Sequence, residues 1–196
     1  MISDLIHAQS DMRSGYQSGG AGVLASALAW LAAALATLQA TPQQAVWVLF
    51  IGGMAIHPVA TVVCKLLGSS GKHSKGNPLG PLAWASTLWL IFSLPLAYVV
   101  SLHRIEWFFP AMLLVIGGRY LTFSMLFGMR VYWLLGLSLA AAGYLLGRSL
   151  ASPAVGAFVG TCMEALFAAY ILIAHRRGVR PDHPFNLKPI RGSGDR

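Results

Sequence analysis

The sequence predicts an all-α, polytopic membrane protein with six transmembrane helices. Composition is the first reason: 56% of the 196 residues are hydrophobic and only 10% are charged, where a soluble domain carries about 25% charged residues. The mean hydropathy is +0.64. The second reason is spacing. Six apolar runs stand out, each near the roughly 20 residues that a spanning helix needs. The third is the brevity of the polar gaps between them, none long enough for an extramembrane domain. Together these exclude a disordered chain, a collagen-like chain and a water-soluble globular domain.

The runs fall at about 21–40, 45–67, 81–102, 107–127, 131–150 and 154–174. The first is too long, and its preceding segment too extended, for a cleaved signal peptide, so it is read as a true span. Residues 1–20 then form an N-terminal segment, 21–174 the six-helix domain, and 175–196 a basic tail. The Pro/Gly-rich part of that tail reads as flexible at the headgroup level. In the 68–80 loop, Asn77 and Pro78 are expected to start the third span, as cap and first-turn residue.

Fourteen Lys and Arg against six Asp and Glu give a net charge of +8. The sequence carries no nucleic-acid motif, and the basic residues lie mostly outside the apolar runs, so they read as a topology signal and a contact for anionic headgroups. With six spans, both termini share one side. Arg13, Lys65, Lys72, Lys75, Arg130, Arg176, Arg177, Arg180, Lys188, Arg191 and Arg196 lie on that side, against Arg104 and Arg148 opposite. This bias places both termini in the cytoplasm. Cys64 and Cys162 both fall in apolar runs and read as buried free thiols.

Arg119 belongs to neither side, because it lies deep within the fourth run, and Glu164 is its acidic counterpart in the sixth. With His57 they lie roughly ten to thirteen residues into the fourth, sixth and second runs, which places all three near mid-depth. A charge at the bilayer centre costs about 3 kcal/mol or more, so such residues pair or line a wet cavity. We expect Arg119 and Glu164 to face a common interior with His57 close by, and Tyr120 and Thr122 are candidates for the same site. Read functionally, this is a site for a small anionic or zwitterionic ligand, or a proton-coupled step through Glu164 and His57. Read structurally, it is an ion pair that fixes helix register. No second His stands at metal-ligand spacing, so no metal site is expected, and no motif implies a cofactor.

Small residues recur in stripes: Gly22, Ala25, Ala29, Ala33 and Ala36 in the first run, Gly136, Ala140, Gly143 and Gly147 in the fifth, and Gly156, Gly160, Glu164 and Ala168 in the sixth. Such stripes let helix backbones approach closely. The last must face protein or water because it contains Glu164. Spans two, four and six also share a local pattern, Gly52-Gly53-Met54…His57, Gly117-Gly118-Arg119…Thr122 and Gly160-Thr161…Glu164, which suggests three related hairpins. Pro58, Pro95 and Pro110 can each kink a helix. Trp47 and Trp107 read as interfacial anchors. Trp30, Trp84, Trp89 and Trp133 are open between anchor and pocket wall, and Tyr144 and Tyr170 are expected to bond inside the bundle.

His57-Pro58…Cys64-Lys65-Leu66-Leu67-Gly68, then Asn77-Pro78-Leu79-Gly80, then Gly117-Gly118-Arg119-Tyr120-Leu121, resemble a family of small bacterial six-span membrane proteins known only as a domain of unknown function. Cys64 departs from the Gly expected before Lys65. The resemblance implies a bacterial inner membrane and brings no activity and no catalytic residue. The architecture is also broadly similar to the membrane-embedded substrate-capture subunits of vitamin importers, which implies that Ala29 and Ala33 face a partner.

No hydrolase elbow, HExxH, histidine box or nucleotide motif argues for an enzyme. The reading is a small-molecule transporter or ligand-binding membrane subunit. The alternative is a non-catalytic structural or partner-binding membrane protein whose Arg/Glu pair only fixes packing. Membrane lipids are expected partners, and a homodimer or a partner membrane protein fits the short helices.

Overall fold

The computed structural model describes residues 2–178. A short helix, α1 (Ile2–Gly15), precedes α2 (Gly20–Gln39), α3 (Pro42–Leu66), α4 (Gly80–His103), α5 (Phe108–Phe127), α6 (Val131–Ser149) and α7 (Pro153–Arg176). No strand occurs among the described residues. The helices from α2 to α7 are each long and apolar enough to cross a membrane. The protein is therefore an integral membrane protein of six apolar helices, as the sequence predicts. The segment before the first span differs from expectation only in being helical, and the basic tail lies outside the described residues from 179 onward.

Local signals set the helix ends. Thr41 and Gln44 close a capping box at the start of α3, with Pro42 in its first turn. Ser152 accepts a hydrogen bond from the Val155 amide at the start of α7, with Pro153 next in line. Gly128, at φ 64°, ends α5 in the left-handed conformation that glycine adopts without strain. Pro58 and Pro95 lie inside α3 and α4. Pro110 instead sits in the first turn of α5, where no helical hydrogen bond is lost. Asn77 does not cap α4. The helix begins at Gly80, and the Asn77 side chain serves the loop, accepting from the Leu79 amide at 2.9 Å and donating to Asp11 at 2.7 Å.

Packing follows the small residues. α2 lies against both α7 and α3, and α5 lies against α6. A Cβ on Gly117 would come 2.7 Å from the Gly136 carbonyl oxygen, and one on Gly136 equally close to that of Gly117. The α5–α6 contact is thus backbone against backbone, as such stripes permit. Ala29 and Ala33 are buried within the chain, Ala29 against Gly52 of α3. They are not available to a partner, because α3 already occupies that face. Three equivalent hairpins do not emerge either: α6 packs chiefly on α5, and α7 on α2. Tyr144 and Tyr170 are exposed, since both lie on the outer faces of their helices. Cys64 is buried, but Cys162 is exposed, on the face of α7 away from its glycine stripe.

α1 closes one end of the bundle. Gln9 donates to the Met125 carbonyl at 2.8 Å and Arg13 to that of Phe127 at 2.6 Å, which satisfies the free carbonyls at the end of α5. Between α1 and α2 the chain turns through Gln17, Ser18 and Gly19, all at positive φ and all buried. Two non-glycine residues in that region store backbone strain. Tyr132 of α6 holds the turn by donating to the Ser18 carbonyl at 2.7 Å, and the Ser18 hydroxyl meets His175 of α7 at 2.8 Å.

Candidate functional site

Glu164 lies on the face of α7 that its glycines bring close to α2 and α5. Its side chain is 0% exposed. Gly156 leaves room for Phe109, and Gly160 for Trp30, whose ring a Cβ there would meet at 2.6 Å. Trp30 is therefore laid flat one turn before Glu164. Tyr120, from α5, donates its phenol to Glu164 Oε1 at 3.1 Å. Ser26 and Trp30 of α2 lie beside the carboxylate. Oε2 of Glu164 and Nε1 of Trp30 have no hydrogen-bond partner among the protein groups.

Arg119 precedes Tyr120 and points to a different neighbour. Its guanidinium donates to Thr87 of α4 at 3.5 Å and lies 5.3 Å from the centre of the Phe123 ring. Its Nε is buried without a partner. Arg119 and Glu164 thus share one region of the bundle, one residue apart through Tyr120, but bond to different groups. Among the described residues no carboxylate forms an ion pair with Arg119.

The other two expected residues do not join this centre. Thr122 lies 2.7 Å from the Arg119 carbonyl and 3.0 Å from the Ser86 hydroxyl, so its oxygen serves the α4–α5 contact. His57 is exposed on α3. Equal depth along the bundle does not fix the direction of a side chain around its helix. Trp30 and Ser26 are the neighbours that sequence reasoning missed as polar contributors. Their signal was weak, because both sit in an Ala-rich span that reads as packing. Among the described residues no three metal-ligating side chains lie together.

The chain matches a family over residues 5–174, most of α1 and nearly all of the six spans. It belongs to the family of unknown function DUF7010. This agrees with the resemblance carried by the 57–80 and 117–121 segments. Among curated proteins and solved structures nothing matches the chain. The family brings no activity, so the chemistry rests on the side chains described above.

Proposed function

We propose that this protein binds, and passes or presents, a small polar ligand at the mid-span cluster of Arg119, Tyr120 and Glu164. The observation that carries this reading is the unmet bonding capacity there. A buried acceptor, a buried indole donor and a buried guanidinium nitrogen each lack a protein partner. Leaving such groups unpaired costs about 1–3 kcal/mol each, and intramembrane charges usually mark ligand or ion pathways. An anionic or zwitterionic ligand matches this set, its anion toward Arg119 and any cationic group toward Glu164. The excess of Lys and Arg at the α1 end supports a cytoplasmic position for that end, and the resemblance carried by the 57–80 and 117–121 segments implies a bacterial inner membrane.

The purely structural reading has one observation in its favour: Glu164 is fully enclosed and already bonded to Tyr120. Untargeted mass spectrometry of small molecules co-purifying with wild type and with Arg119→Ala separates the two. The proposed function requires a species retained by wild type and lost from the variant. Identical profiles from two equally folded proteins would favour the structural reading.

A further inference from the structure

α3 and α4 follow one another in the chain, yet they do not pack together along their lengths. α3 rests on α2, and α4 on α5. They meet through aromatic rings at one end, Trp47 and Phe50 lying 5.6 and 6.3 Å from Tyr98, with Phe50 also 5.3 Å from Phe108 of α5. At the other end the connecting loop is fastened to α1. Asp11 accepts from Ser74 and Asn77, Gln17 donates to the Leu67 carbonyl and Ser69, and the Gly71 amide donates to the Gly15 carbonyl. The two helices are thus tied together at both ends, and between the ties their facing residues Gly53, His57 and Ile91 are exposed.

The two walls of the cleft between them can be traced from the ring contacts. On α3, Gly53, His57 and Thr61 follow Phe50 at steps that keep to one helix face. Gly53 and His57 are exposed, and a Cβ on Gly53 would meet nothing within 4 Å. On α4, Leu94, Ile91 and Thr87 follow back from Tyr98 in the same way, and Thr87 is where Arg119 arrives from α5. The cleft therefore has apolar walls, one histidine and one guanidinium without an ion-pair partner. A cation at this depth is costly unless an anion or water meets it.

We propose that this cleft seats an anionic acyl lipid, its charged head on Arg119 and its chain along the open flank. Because both ends are tied by the contacts above, the occupant comes from the bilayer and brings its own apolar part. The charge of Arg119 selects the anion. This rests on the proposed site and names its ligand class.

Native mass spectrometry tests it, with protein released from micelles containing dioleoyl phosphatidic acid, dioleoyl phosphatidylcholine or inorganic phosphate. Wild type is expected to retain one phosphatidic acid at least tenfold over phosphatidylcholine, with no displacement by phosphate. Arg119→Gln should lose that preference at least fivefold. Gly53→Leu should do the same by filling the cleft, and a Cβ there meets nothing within 4 Å, so it carries the test even if Arg119→Gln fails to fold. Undiminished retention by folded Gly53→Leu overturns the lipid proposal. Displacement by phosphate, or a water-soluble species lost from Arg119→Ala in place of lipid, overturns it while leaving the proposed site standing. Retention of no anion, together with identical co-purification profiles, overturns both.

Discussion

Glu164 and Tyr120 show how one hydrogen bond organises the centre. The phenol donates to the carboxylate at 3.1 Å, and both residues are buried. Tyr120→Phe removes that donor and keeps the ring on Tyr132, its stacked neighbour at 6.1 Å. The expected loss is about 1–3 kcal/mol, the cost of a buried acceptor left unsatisfied, read as a lower melting temperature in detergent with unchanged helicity. An unchanged melting temperature would mean that another group takes over the carboxylate. Arg119 and Glu164 were legible in the sequence because charge in an apolar run is expensive. His57 was drawn to them by depth alone, and depth says nothing of angle around a helix. Trp30 was left open, because only Gly160 on a distant helix gives it a seat.

At the scale of elements, α1 is the part the sequence concealed. It has no apolar run, and its helix is held by long-range polar contacts: Asp11 to Ser74 and Asn77, Tyr16 to His73, Arg13 to the end of α5. Hydropathy does not register such contacts. It was the same network that took Asn77 from its expected role as a cap. The hydrogen bonds from Ser74 and Asn77 hold the Asp11 carboxyl below its ordinary value of 3.8. A depressed carboxylate stabilises the fold above its unfolded pKa, and that contribution is lost as pH falls through the folded value. Asp11→Ala should therefore lower the melting temperature at neutral pH, and the gap to wild type should close below about pH 3.8. At neutral pH the variant should also expose the loop, with trypsin cutting after Lys72 and Lys75 several-fold faster. Equal cleavage rates would show that Asp11 does not hold the loop to α1.

For the whole molecule, the number and order of spans were plain in hydropathy, because every spanning backbone must be helical and every span about 20 residues. Their arrangement was not. Which helices touch depends on which small-residue face meets which, and the stripes of α2, α6 and α7 each fit several partners. The chain answers by placing α2 between α3 and α7, and α5 between α4 and α6, so that α3 and α4 stand apart. In the proposed reading the flank between α3 and α4 is open to the bilayer and leads to Arg119. Spin labels at positions 53, 57 and 91, with Cys64 and Cys162 replaced and the protein in bilayers, test this most directly. Collision with oxygen should be frequent at all three positions, and collision with a water-soluble nickel chelate rare. Frequent nickel collisions would reveal an aqueous pathway, and low values for both would show α3 and α4 packed together; either result would contradict the account.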